Sequence, residues 1–307
     1  MMPRPVKRVL AWLRAPLNAL HFTVRRSLRL GLGEPVLVGE PKDGLFDYLP
    51  EPSLGEAHRR EAELRERYDL EPLRACSTRL VYRDNLYVLD ALESVTSGVT
   101  PPAPGSLRAV DVGSQSFTYA FALERFLSRW GGHRRAVTLA GVEVDGWVVL
   151  RDLRSRRDHA LAHVRSTGNP AVTYRVADFS VSEDRELDVV TLFYPFLTRY
   201  ALLQWGLPLR LYAPERLIRR AFEALRPGGL LIVFNQTEVE RNLLIRLIDG
   251  LGGEIERSEA IGSTLVTYLD ETADRHATVV RRPAAQDRLG LHLAPAAVGC
   301  APTTEDR

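Results

Sequence analysis

Cysteine is nearly missing from this chain of 307 residues: Cys76 and Cys300 are the only two, too few for a disulfide framework and in no metal-ligand spacing. A disulfide-stapled secreted scaffold and a cysteine-based zinc site are thereby excluded, no metal is expected, and a reducing, cytoplasmic compartment fits best. Lysine is as scarce, with only Lys7 and Lys42 among 41 basic residues. That skew toward arginine reads as codon composition of the source genome, not as a demand for guanidinium chemistry. Excess charge of one sign is small: 39 acids leave a net +2, and on that balance no nucleic acid is expected as partner. No run approaches the roughly 20 apolar residues of a membrane span, and the chain has no internal repeat. A glycine-rich fingerprint is missing too, because Gly113 is followed by Ser114, Gln115, Ser116 and Phe117. A dinucleotide pyrophosphate needs a second and a third glycine there, for close backbone approach and for helix-on-strand packing.

What remains has the composition of an ordinary soluble protein, 45% hydrophobic and 26% charged, long enough to bury a substantial core in one catalytic-size domain plus extensions. Its start is unusual. Arg4, Lys7, Arg8, Arg14, Arg25, Arg26 and Arg29 all precede the first acid, Glu34, with Val9, Leu10, Trp12, Leu13, Leu17, Leu20 and Phe22 between them. Arg14 and Pro16 interrupt any signal-like apolar stretch. Two readings of residues 1–33 stand: a basic amphipathic segment making weak peripheral contact with an anionic membrane, or a helix packed on the domain with a solvated basic face. The second is the default.

Residues 34–55 read as a connector rich in Pro, Gly and acids. Helices are expected at 56–70 and from Thr78 to Val95, where Leu80, Leu86, Leu89 and Leu92 recur. The Pro- and Gly-rich stretch from Ser97 to Gly105 is the best domain boundary, separating a basic and helical extension (1–97, a candidate lid) from a domain spanning 105–282. Residues 283–307 show little periodicity and are expected to be a mobile tail. Within the domain, strands are expected at 108–112, 137–143, 171–177, 187–193 and 230–235, with helices near 117–130, 146–165 and 214–225. Gly131-Gly132, Gly168-Asn-Pro170 and Pro227-Gly-Gly229 are the corresponding helix stops. A helix near 238–250 precedes strands at 254–260 and 276–282, whose short link favours an antiparallel final pair.

Four strand ends carry groups that define one pocket: Asp111 and Gly113, then Glu143, then Asp178 with Phe179, then Phe193, Tyr194, Pro195 and Phe196. In open α/β sheets ligands bind at that carboxyl edge. An ionised Glu143 accepts both hydroxyls of a ribose, Asp178 accepts from an exocyclic adenine amine, and Phe179, or Val144 with Trp147, covers the base. A helix opening directly after Gly113 would offer free amides to a carboxylate. Each residue has a bland alternative: Asp111 ordering a turn, Glu143 beside the cap Asp145, Asp178 capping a loop, and Phe193, Phe196 and Trp205 in the core. Together these groups favour a cofactor site.

These pieces resemble the class I S-adenosylmethionine-dependent methyltransferases. They are Val110-Asp-Val-Gly113, Gly141-Val-Glu143, Ala177-Asp178-Phe179, Leu187 to Phe193 and Leu225 to Gly229, in the family's order over roughly 107–282. The resemblance implies a doubly wound, mainly parallel, seven-stranded Rossmann-like α/β sheet with an antiparallel last strand, preceded by an N-terminal helical extension. It implies S-adenosylmethionine as cofactor, with Asp111 and Gly113 at the methionine part, Glu143 at the ribose and Asp178 at the adenine; Ser114, Gln115, Phe179 and Tyr194 complete the expected binding set. The substituted turn, together with Trp205-Gly-Leu-Pro208, also resembles a bacterial subgroup of that family.

The turn departs from the family in keeping only Gly113, and Gln115 or Ser116 is expected to replace a backbone contact. No general base is assigned; Tyr194 reads equally as core or as a residue that aligns the acceptor or helps remove a proton, Asn235, Gln236 and Glu238 are expected on the acceptor side, and His133 and His163 far from it. The long segment from Pro195 to Ala213, with Phe196, Tyr200, Leu202, Leu203, Trp205 and Tyr212, suits a small organic or lipid-like acceptor. Two other classes stay open: a noncatalytic binding or scaffold protein with a degenerate donor site, and an aminopropyltransferase-like enzyme, which the non-acidic Tyr194-Pro-Phe disfavours. If Glu143 serves only the ribose, Glu143→Ala abolishes donor binding with little loss of stability.

Overall fold

The computed structural model describes residues 14–103, 105–263, 265 and 275–284. The expected tail at 283–307 lies almost wholly outside them, as does the first part of the basic segment. Four helices come first: α1 (Ala15–Leu28), α2 (Ser53–Tyr68), α3 (Glu71–Cys76) and α4 (Arg79–Thr96). Then follow β1 (Leu107–Val112), α5 (Ala120–Arg129), β2 (Val137–Glu143), α6 (Arg156–Ser166), β3 (Val172–Val176) and β4 (Leu187–Phe193). The chain closes with α7 (Arg199–Gln204), α8 (Pro214–Ala224), β5 (Leu225–Asn235), α9 (Glu238–Leu251), β6 (Glu254–Ala260) and β7 (His276–Arg281).

The strands form one seven-stranded sheet in the order β3-β2-β1-β4-β5-β7-β6. The strands from β1 to β5 pair in parallel, and β7 runs antiparallel between β5 and β6. The α/β sheet with a reversed last strand is therefore present as expected, and the reversed strand lies inside the sheet edge, not at it. Winding changes direction between β1 and β4, the switch point at which a crevice opens beyond the strand ends.

Period-two burial sorts the strand residues. Ala109, Leu139, Val189, Ile232 and Phe234 face a cluster that also takes Leu64, Tyr82, Leu86, Leu89 and Leu92 of α2 and α4. Val110, Val142, Val190, Leu192 and Val233 face α8 and α9 through Ile218, Phe222, Leu244 and Ile248. The proline-rich stretch thus separates the early helices from the sheet in sequence, while a single buried cluster runs across it. Asn85 is a polar tie within that cluster: its amide donates to the carbonyls of Val81 and Thr118, and its carbonyl accepts from the Ala122 amide. Arg60 links α2 to α4 through Asp90 and Glu93 at 2.8 and 2.6 Å.

Three expected elements differ. The helix after β1 opens at Ala120 instead of 117, and the one after β2 at Arg156 instead of 146. Ser155 is the reason for the second difference: its hydroxyl accepts from the Asp158 amide and the Asp158 carboxylate accepts from the Ser155 amide, a reciprocal cap that fixes the helix start. Upstream, Gly146 packs so close to β3 that a Cβ there would lie 2.5 Å from Val176, which holds this stretch against the sheet. Pro227-Gly-Gly229 does not stop a helix; α8 ends at Ala224 and the segment is already part of β5, where the Gly228 amide donates to the Arg282 carbonyl at 2.7 Å.

Candidate functional site

The turn after β1 is glycine-like without its glycines. Gly113 has φ +83°, and Gln115 and Phe117 also sit in the left-handed region at φ 51° and 49°. For residues with a Cβ this costs about 1–2 kcal/mol each, so tertiary contacts must hold them. Gln115 donates its amide to Glu143 Oε2 at 3.0 Å, and its carbonyl accepts from the Tyr174 hydroxyl at 2.7 Å. Phe117 is fully buried with its ring over Gly141, where an added Cβ would lie 2.7 Å from the ring and 3.0 Å from Ser114 Oγ. Gly141 is therefore the space that Phe117 fills, a pairing of two positions that the sequence alone left unconnected.

Glu143 closes β2 and is buried. Its Oε1 accepts from the Asp145 amide at 2.8 Å and its Oε2 from Gln115. Burial raises its pKa, while those two amides and the charge of Arg156 pull it back down. The carboxylate thus organises the β1 turn as well as facing the cavity, and this corrects the expectation that Glu143→Ala spares stability: truncation orphans two amides at about 1–3 kcal/mol each.

Asp111 is fully buried, accepting from the Thr191 hydroxyl at 2.6 Å and the Tyr119 hydroxyl at 2.8 Å. Desolvation raises its pKa to about 6 against the pull of the three hydroxyls of Thr191, Tyr119 and Ser114. Ser114 donates to the Asp111 carbonyl at 2.9 Å and is likewise fully buried. These two lie beneath the cavity instead of lining it, where they brace β1 against β4 and shape the turn.

The cavity itself is lined by Gly113, Gln115, Glu143, Asp178, Phe179 and Tyr194, so six of the eight expected residues meet there. Asp178 follows β3, caps the short 3-10 turn Phe179–Val181 by accepting from the Ser180 amide at 2.9 Å, and has Arg216 at 3.9 Å. Val144 and Phe179 supply apolar walls; Trp147, the other candidate cover, lies outside the lining, under the guanidinium groups of Arg29 and Arg157. Tyr194 sits at φ 60°, and its hydroxyl is 2.8 Å from that of Tyr87 on α4. Burial raises the Tyr87 pKa against the pull of this hydrogen bond and of the Arg275 charge.

The roof comes from the segment after β4. Phe196, Leu202, Trp205, Leu207 and Leu211 line the cavity, and α7 and the 3-10 turn Leu209–Leu211 order what reads in sequence as one long loop. Phe22 of α1 packs against Leu202 and Leu207 with Val144 and Phe196 beside it. Arg156, missed in the sequence, also lines the cavity and stacks over Trp205 at 5.7 Å. Its signal was the Ser155 cap, which fixes where the following side chain projects.

Asn235, Gln236 and Glu238 do not line the cavity; Asn235 is fully buried at the end of β5, and the Gln236 amide donates to Glu240. His133 borders a separate groove beside Trp130 and Arg257, and His163 is buried on α6 with its pKa lowered to about 4 by desolvation. Among the described residues no His, Cys, Asp or Glu cluster could hold a metal ion, and no helix is long and apolar enough to cross a membrane.

No protein-family model and no curated protein matches the chain. Solved structures do. An S-adenosylmethionine-dependent methyltransferase from Aquifex aeolicus is 12% identical, with 63% of this chain and 89% of that one covered and a TM-score of 0.43. A SAM-dependent O-methyltransferase from Thermotoga maritima is 15% identical, covering 66% and 65%, at 0.41. The cyclase SpnF is 17% identical, covering 64% and 80%, at 0.43.

Proposed function

We propose that the chain is an S-adenosylmethionine-dependent methyltransferase acting on a small organic or lipid-like acceptor. One observation carries this reading: a buried carboxylate at the end of β2, an acid and an aromatic after β3 and a left-handed turn after β1 meet in a single apolar-walled cavity at the switch point. The fit is chemical. Glu143 keeps unused lone pairs on both oxygens for ribose hydroxyls, Asp178 Oδ2, with Arg216 at 3.9 Å, keeps a lone pair for an amine, and Val144 and Phe179 offer apolar walls for a base. Gly113 leaves open space where a side chain would stand, beside the end that a methionine moiety would take.

When bound, the sulfonium supplies an electrophilic methyl group for in-line displacement. The protein's task is then alignment and exclusion of water. Phe196, Leu202, Leu207 and Leu211 dry the roof, and Arg156 holds Trp205 over it. The hydrogen bond between the Tyr87 and Tyr194 hydroxyls ties the turn after β4 to α4. The apolar roof supports a small or lipid-like acceptor over a polynucleotide, which calls for a basic groove with stacked aromatics.

Calorimetry with S-adenosylmethionine and S-adenosylhomocysteine tests the reading. Wild-type protein is expected to bind both. Glu143→Gln and Asp178→Asn, the latter leaving the β1 turn untouched, are each expected to weaken binding by about tenfold or more. Absence of heat with folded protein at millimolar ligand would favour a noncatalytic scaffold.

A further inference from the structure

The outward face of α1 is apolar and, among the described residues, bare. Its inward face is settled: Asn18 donates to the carbonyls of Leu203 and Leu207 at 3.0 and 3.3 Å, Phe22 is 1% exposed, and Arg25 meets Asp145 at 2.6 Å. On the opposite side Leu17, Leu20, Val24 and Leu28 follow one another at helical spacing and are 53%, 59%, 43% and 58% exposed. The chain then leaves the helix through Leu30, Leu32, Val36 and Val38, all exposed as well. Scattered exposed aliphatics need no explanation, but a continuous stripe along a packed helix does.

Charge selects what covers it. Between Arg14 and Gly33 there is no acid, and the sequence before it adds Arg4, Lys7 and Arg8. Arg25 is neutralised by Asp145, whereas Arg14 and Arg26 are exposed with no acidic partner among the described residues. A second copy of the chain fits poorly, because a two-fold contact through α1 would set these arginines against each other. A surface of anionic headgroups over acyl chains matches both the stripe and the charge.

We propose that the outer face of α1, continued by the segment to Val38, docks on an anionic lipid bilayer and so seats the roof of the cavity against the membrane. The residues under α1 are Leu202 and Leu207, which line the cavity, and half-exposed Trp205 lies between them in sequence. The membrane is then only about one helix diameter, 10 Å, from the roof. Resting on the function proposed above, the acceptor is an amphiphile that reaches the cavity from the lipid.

Flotation of the full chain with phosphatidylcholine vesicles, with and without one-third phosphatidylglycerol, tests the docking. The wild type is expected to float with the anionic vesicles and to be released by added salt. Leu20→Glu/Val24→Glu is expected to lower partitioning by about tenfold or more while leaving Tm and S-adenosylhomocysteine binding unchanged, since both side chains point outward. Equal recovery of wild type and variant, or a concentration-dependent dimer that does not float, overturns the proposal. Flotation by a chain that binds no S-adenosylhomocysteine upholds the docking and overturns the lipid-acceptor assignment alone.

Discussion

The floor and the roof of the cavity are held by different forces. The floor is knit by buried hydrogen bonds between residues far apart in sequence: Asp111 to Thr191, Gln115 to Glu143, Tyr174 to the Gln115 carbonyl. The roof is held mainly by apolar packing of Phe22, Leu202 and Leu207, with Asn18, the Arg25–Asp145 ion pair and the Tyr212 hydroxyl among its polar ties. Directional bonds in a dry site fix geometry and are costly to break. Packing of a peripheral helix is non-directional and opens locally. The strand ends therefore fix the shape of the cavity, while α1 and the residues it covers form the part that can open.

The floor is most sensitive at Gly141. Gly141→Ala drives a methyl into Phe117, which is buried and has nowhere to move, and is expected to cost about 1–3 kcal/mol of global stability. Denaturant unfolding reads that loss, and Phe117→Leu in the same chain should recover much of it. Phe22→Ala is the roof counterpart. Its loss of packing is expected to appear as local opening, with faster hydrogen exchange confined to α1 and residues 198–212 and a smaller shift in the global midpoint. A global loss as large as that of Gly141→Ala would erase the distinction.

A pH-dependent effect sharpens the floor. Burial raises the folded pKa of Asp111 to about 6 from its ordinary value of 3.8. Such an acid contributes its full stability below the unfolded pKa and loses it as pH rises through the folded one, so the window runs from near pH 4 to about pH 6. Asp111→Asn lacks this titration. The stability of wild type relative to Asp111→Asn is therefore expected to fall by up to roughly 3 kcal/mol from pH 4 to pH 7. A difference that stays flat would place Asp111 in a wetter site than its hydrogen bonds indicate.

The floor was the legible part. Alternation and flanking breakers placed β2, β4 and β6 at residues 137–143, 187–193 and 254–260, as observed, and acids at strand ends brought Glu143 and Asp178 to one edge. Where the expectations failed, a tertiary contact had overridden a local signal. Trp147 to Leu150 carry helical periodicity, yet Gly146 against Val176 and the Ser155 cap hold them irregular. Asp111 marked the site by position, but the hydroxyls of Thr191 and Tyr119 claim its carboxylate from below. The roof was visible only as apolar content between Pro195 and Ala213, because the contact between Phe22 and Leu207 joins segments that no local pattern connects.

The most direct test is a crystal structure with S-adenosylhomocysteine bound. The ribose is expected at Glu143, the adenine between Val144 and Phe179 beside Asp178, and the sulfur under the roof near Tyr194. A ligand seated outside this cavity, or a cavity empty at saturating ligand, would contradict it.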